Sequence, residues 1–184
     1  GCFHMKGDPC DAGNLTQLEI ESSRRILRCI EFLRANMPGY EQIHLTRIAP
    51  QFGVREGRRI LGEKRLTRAD CDAGVEYPDV ICRFNYWQVL MGVPYRALVP
   101  QRIDGLLIGS RSIDVDRAIF GSIRLIGTAF GFGHAAGAAA ALCCRSQLQP
   151  RDLAPEPLQA ALREQGAYLD QYALVDSTAV VTED

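Results

Sequence analysis

The stretch "GSIRLIGTAFGFGHAAGAAAAL", Gly121–Leu142, contains no acidic residue, and Arg124 and His134 are its only basic side chains. Its length and composition predict a helix, yet Gly127, Gly131, Gly133 and Gly137 fall inside it. Glycine disfavours a helix by about 1 kcal/mol relative to alanine, so four glycines need a compensating gain. Close packing of the helix on a sheet is one compensation. Approach of a ligand to the helix N-terminus, where free N–H groups and a partial positive charge suit an anion, is the other. Composition alone supports both.

The residues around it set the fold class. Leu106-Leu107-Ile108 precedes the stretch without polar alternation, which predicts a strand buried on both faces. "GVPYRALVP", a turn near Gln101–Gly105 and "LLIGS" read as two strands joined by a tight connection. "VEYPDVICRFNYWQ" reads as irregular chain with a strand-like core. Further upstream, Ile43, Leu45 and Ile48 suggest a short strand, and Ile60-Leu61 another. Between them Pro50, Gly53 and Gly57 punctuate a loop carrying Arg55, Glu56, Arg58 and Arg59, and Thr67 with Asp70 caps a brief helical turn.

The first strong helix is predicted over about Leu15–Met37. Thr16 and Glu19 match a capping box, and Ile26, Ile30, Leu33 and Met37 form one apolar stripe, with Arg24, Arg25, Arg28 and Arg34 left for solvent. Pro38-Gly39 ends it. A second helix is expected over Pro155–Gln165, with Gly166 closing it, and Val175–Asp184 reads as a frayed tail. The expected class is α/β with mixed α+β character.

A chain of 184 residues with 47% hydrophobic residues suits one ordered domain or a piece of something larger. With 21 basic and 22 acidic residues, the formal charge of −1 offers no electrostatic attraction for nucleic acid or an anionic membrane. Arg124 and His134 argue against a bilayer span in the Gly/Ala stretch, and no secretory leader is recognisable. Seven cysteines (2, 10, 29, 71, 82, 143 and 144) contain no C-x-x-C pair. That pattern predicts neither a disulfide framework nor a metal site, and favours a reducing, cytoplasmic location. The opening "GCFHMKGDPCDAGN", residues 1–14, has no initiator Met and is expected to be a leader or a cut end.

Candidate sites beyond the Gly/Ala stretch are few. Arg55, Arg58 and Arg59 could aim a guanidinium at a carboxylate of a substrate, or could form a solvated turn paired with Glu56. His4, His44 and His134 are scattered, without metal-ligand spacing. Cys143-Cys144 suits packing of small side chains better than it suits redox work. No G-x-S-x-G, P-loop or H-E-x-x-H is present, which weakens hydrolase, NTPase and metalloprotease readings.

The ordered blocks "APQFGVREGRRILGEKRLTRAD", "YPDVICR", "VPYRALVPQRIDGLLIGSRSI", "GSIRLIGTAFGFGHAAGAAAAL" and "LQAALREQGAYL" together resemble a family of FAD-dependent oxidoreductases. The resemblance covers roughly Leu15–Leu169 and is to the C-terminal half of proteins in the glutathione-reductase-like flavoprotein class. It implies a substrate-side part at about 15–100, a returning strand and helix beside FAD at about 101–145, a C-terminal helix at about 155–166 and a tail over 170–184. In such proteins an N-terminal Rossmann βαβ unit with G-x-G-x-x-G holds the FAD pyrophosphate. No such fingerprint follows a strand near the start of this chain, so the resemblance implies a cofactor site only half present here. The other half would come from a preceding segment or a partner chain.

Carried over position by position, the resemblance places Gly109, Arg111, Ser122, Arg124, Thr128, Gly131, Phe132, Gly133, His134, Ala135 and Ala136 along the cofactor. Arg55, Arg58 and Arg124 are the candidates for a catalytic role, and the substrate is expected to be a small organic molecule. Departures from the family pattern fall at Gly57, where Ser is usual, and at Gly127-Thr128-Ala129, which replaces a Pro-Thr-Cys-like start. The loop Asp114–Phe120 also departs, having Asp116 and Arg117 but no histidine. Two other readings stand beside the oxidoreductase: a non-catalytic fragment or scaffold without cofactor, and a simple anion- or nucleotide-binding module.

Overall fold

A computed structural model describes residues 4–51, 53–87 and 89–170. The chain divides into two compact units, Gly1–Arg58 and Arg59–Asp184. The fold is mixed α/β: the first unit is helical, and the second holds a two-stranded antiparallel sheet against which α-helices pack.

The first unit is built on α1, Ala12–Asn36. It starts earlier than the capping-box reading placed it. Asp11, not Thr16, is the N-cap, its carboxylate accepting from the Asn14 N–H. Thr16 lies inside the helix and its hydroxyl donates to the Ala12 carbonyl at 2.9 Å. Asp11 intercepts the helix because it offers an equally good cap one turn upstream, so Ala12–Asn14 are helical. Ile26, Ile30 and Leu33 are half-buried, Met37 is exposed, and no residue of α1 is fully buried. The strand expected near Ile43–Ile48 does not form. The segment has no regular secondary structure and joins no ladder, while Arg34 Nε donates to the Ile43 carbonyl at 2.8 Å.

The second unit holds the core. α2, Arg68–Asp72, is the expected short turn, with Thr67 and Asp70 making a reciprocal capping box. β1, Val80–Tyr86, pairs antiparallel with β2, Val89–Pro94, and a bulge lies between Val80 and Cys82. A 3₁₀ turn, Tyr95–Ala97, continues from β2. Asp79 anchors that corner. It is 2% exposed, and its carboxylate accepts from the Arg96 backbone N–H at 3.1 Å, from Nε at 2.9 Å and from Nη2 at 3.1 Å. The Asp79 carboxylate in turn holds the Arg96 guanidinium above its ordinary pKa.

α3, Phe120–Ile123, leads through Arg124 and Leu125 into α4, Ile126–Ser146, which spans most of the opening stretch. α5, Pro155–Glu164, has Pro at its start, and Gly166 at φ 83° closes its end. The buried face of α4 consists of Thr128, Phe132, Ala135, Ala139 and Cys143, and α4 packs against both β1 and α5. Leu158 and Leu162 complete the layer from α5 at 0% exposure.

Two more expected strands are absent. Ile60-Leu61 gives only an isolated bridge, Gly62 to Pro100. Leu106-Leu107-Ile108 joins no ladder and has no regular secondary structure. Ile108 N–H bonds the Leu98 carbonyl at 2.9 Å, Leu107 and Ile108 are half-buried, and Leu106 is 39% exposed. The run is thus not buried on both faces, because the described chain places no second strand beside it. By length and composition alone α4 could cross a bilayer, contrary to the expectation drawn from Arg124 and His134. One face of it, Thr128, Phe132, Ala135, Ala139 and Cys143, is buried, and the helix packs on β1 and α5; the rest is exposed or half-buried. The tail expected from Val175 lies outside the described residues.

Candidate functional site

The glycines of α4 divide by what they face. A Cβ on Gly131 would stand 2.7 Å from the Cys82 Cβ and 3.1 Å from its Sγ, so this glycine lets α4 sit directly on β1. A Cβ on Gly109 would stand 3.1 Å from the Ala136 Cβ and 3.3 Å from the Gly133 Cα, so the Leu106–Gly109 run crosses α4 at close range. Both are packing glycines. Gly127 and Gly137 face open space, with nothing within 4 Å of a Cβ there. Packing therefore explains part of the small-residue pattern and leaves part unexplained.

The N-terminus of α4 belongs to the unexplained part. Its N-cap is Leu125, no side chain caps the first turn, and no acidic residue lies in that turn. Arg124 immediately precedes it, half-buried and with no carboxylate partner among the described residues. Ile126 and Phe130 in the first turns are 75% and 74% exposed. An uncapped helix start beside a free guanidinium, opened by Gly127, is electrostatically suited to an anionic edge.

The remaining candidates fall into different settings. Arg111 is exposed beyond Gly109 and also lacks a carboxylate among the described residues, and Ser122 is half-buried within α3. Thr128, Phe132 and Ala135 point into the core, so their side chains support the helix from behind. Gly131, Gly133 and Ala136 lie at the packing contacts with Cys82 and Gly109. His134 is bound elsewhere: its Nε2 meets the Gln165 Oε1 at 2.5 Å, fastening α4 to the end of α5. Arg55 and Arg58 are exposed in the first unit, where Arg58 lines a recess of about 600 Å³ with Gly57 and Gly7–Cys10.

Several structural roles escaped the sequence reading. Arg59 is not part of an open arginine cluster. Its Nη1 donates to the Val115 carbonyl at 2.7 Å, and its guanidinium lies 5.3 Å from the centre of the Phe120 ring. Arg65 reaches Asp116 at 3.0 Å and Asp114 at 3.6 Å, and Asp114 accepts from the Gly62 N–H at 3.0 Å. Asp79 was detectable as a lone carboxylate in the apolar "YPDVICR"; Arg59 carried no local signal. A groove of about 530 Å³ runs along the other end of α4, between Leu107, Ala136, Ala140, Cys143 and Leu148. Burial pushes the Cys82 thiol up to about 12 and raises that of Cys143, so both remain neutral packing groups near pH 7.

A family model described as FAD dependent oxidoreductase matches the chain over residues 2–89 and 90–162. No curated protein and no solved structure matches it.

Proposed function

The chain belongs to the FAD-dependent oxidoreductase family, and on that premise we propose that it forms the isoalloxazine side of a flavin site completed by a second half. Family membership carries FAD binding and a flavin-linked redox role at a coarse level. The finer reading is a C-terminal half of a flavoenzyme of the glutathione-reductase-like class. Its other half, a preceding segment or a separate chain, would carry the G-x-G-x-x-G that grips the pyrophosphate.

The residues at the start of α4 fit the group. The uncapped first turn, free of acidic side chains, favours negative charge at the pyrimidine edge, and Arg124 adds a full positive charge beside it. Gly127 leaves room for a ring to come close to the backbone. When bound, the flavin exchanges a hydride or electron pair with a small organic substrate. Thr128, Phe132 and Ala135 keep the helix start fixed from the core side. Arg111 and Ser122 are the further polar groups along the proposed path.

The single observation that carries this reading is the uncapped, Arg124-flanked start of α4 in a chain whose family binds FAD. The run Leu106–Gly109, which joins no ladder, and the exposed Ile126 and Phe130 of α4 support a second half, because a neighbouring strand and helix would pair the one and cover the others. Balanced charge favours a small molecule over nucleic acid as the partner. Among the described residues six cysteines stand free, which supports a reducing, cytoplasmic setting.

The test is the flavin content of the complete natural protein, with whatever segment or chain accompanies residues 1–184. Near one flavin per copy is expected there, together with loss of the flavin when the accompanying half is removed. A complete protein devoid of flavin contradicts the proposal.

A further inference from the structure

We infer that Arg59 is a positioning residue for the turn Phe120–Arg124, setting the flavin-facing end of α4 without touching the flavin; the link to flavin rests on the function proposed above. Among the described residues the Arg59 side chain has two contacts, one with Val115, upstream of this turn, and one with Phe120, its first residue. Its Nη1 donates to the carbonyl of Val115, a residue 0% exposed, at 2.7 Å. Its guanidinium also lies over the ring of Phe120, 5.3 Å from the centroid, and Phe120 is 5% exposed.

Phe120 connects this contact to the site. Its own carbonyl accepts the Arg124 N–H at 3.1 Å, while Ile119 accepts from Ser122 at 3.1 Å and from Ile123 at 3.4 Å. The residue whose ring Arg59 holds is therefore the one to which the Arg124 backbone is tied. α4 begins two residues later.

Val115 is a fixed post for this arrangement. Ile60 N–H bonds the Ser112 carbonyl at 2.9 Å, Leu66 N–H the Asp114 carbonyl at 3.1 Å, and Asp116 N–H the Leu66 carbonyl at 2.9 Å. The chain around Arg59 thus runs beside residues 112–116 and straps them down. A planar guanidinium can donate in its plane to the carbonyl while its face meets the ring. An ammonium can make one of these contacts well, not both.

The test uses the complete protein with Arg59→Gln, Arg59→Lys and Phe120→Leu. Two quantities are measured: FAD affinity by titration of the apoprotein, and amide hydrogen exchange without flavin. Arg59→Gln should weaken FAD about tenfold, the size typical for loss of a residue that orients a ligand-binding group. It should also speed exchange at Ser122, Ile123 and Arg124 while amides in α5 keep their rates. Arg59→Lys should recover part of both effects. A purely structural arginine would lower overall stability without this selective change. If Arg59→Gln folds with FAD affinity or exchange at Ser122–Arg124 unchanged, the inference is overturned.

Should Arg59→Gln fail to fold, Phe120→Leu replaces it, keeping apolar volume but removing the ring face. The same two changes are then expected at smaller size, and their absence overturns the inference. If the wild-type protein binds no FAD, the functional proposal fails by itself. Exchange then decides the local claim: selective loss of protection at Ser122–Arg124 sustains it, and uniform or absent change refutes it.

Discussion

Gly131→Leu should lift α4 off β1 and destabilise the second unit by about 3 kcal/mol or more, the upper range for overpacking a tight core contact. The reason is local and rigid. The added Cβ would meet the Cys82 Cβ at 2.7 Å, and Cys82 is a buried residue of β1 whose Cβ cannot rotate away. Gly131→Ala gives a sharper contrast. Alanine gains about 1 kcal/mol of helix propensity over glycine, so a neutral environment would make the change stabilising. Here the clash should outweigh that gain and lower stability. Gly137→Ala, on the same helix but with nothing within 4 Å of its Cβ, should instead raise the stability of this chain by up to about 1 kcal/mol. Denaturant midpoints of the three variants check these signs. A stabilising Gly131→Ala would show that α4 does not rest on Cys82 as described.

Arg124→Glu in the FAD-loaded complete protein should produce the largest functional effect, weakening FAD about 100-fold, or roughly 2.7 kcal/mol. The substitution reverses the charge immediately before a helix start that has no capping side chain and no acidic residue. A carboxylate there would neutralise the N-terminal dipole and repel the anionic edge. The carboxylate would also accept from the free N–H groups, closing the anion site from within. Arg124→Ala should cost about tenfold, and Arg124→Lys less, since the lysine keeps the charge but loses the planar fork. FAD titration of each apoprotein measures the series. Equal affinities across it would make Arg124 a structural arginine only.

Much of the helical framework was legible because its signals are local. α2 has its capping box in five residues, α5 has Pro at one end and Gly166 at the other, and α4 is a continuous small-residue run. The strand-like core of "VEYPDVICRFNYWQ" likewise became β1. What failed was whatever depended on a partner elsewhere in the chain. Ile43–Ile48 and Leu106–Ile108 have strand-like residues, but a strand exists only when another strand pairs with it. The start of α1 failed through competition, since Asp11 and Thr16 are both good caps and the helix took the earlier one.

Which residues flank the start of α4 was legible in the sequence; what each side chain there meets was not. Chain order places Arg124 at the head of α4, so that pairing needed no tertiary knowledge. The roles of individual glycines did need it: Gly131 and Gly127 are alike in sequence, yet one meets Cys82 and the other meets nothing. His134 looked available because of its place in the Gly/Ala stretch, but Gln165, thirty-one residues away, binds its ring. Arg59 shows the same limit, since neither Val115 nor Phe120 lies near it in sequence.

The central claim, that the start of α4 faces the flavin ring, is tested most directly by covalent mapping. The complete protein would be loaded with a photoreactive FAD analogue labelled on its ring system, irradiated and digested, and the modified peptides identified by mass spectrometry. The account predicts label on peptides spanning Gly109–Arg111 and Ser122–Thr128, with loss of labelling when excess FAD competes. Competable label confined to other peptides, with none in these two segments, would contradict it.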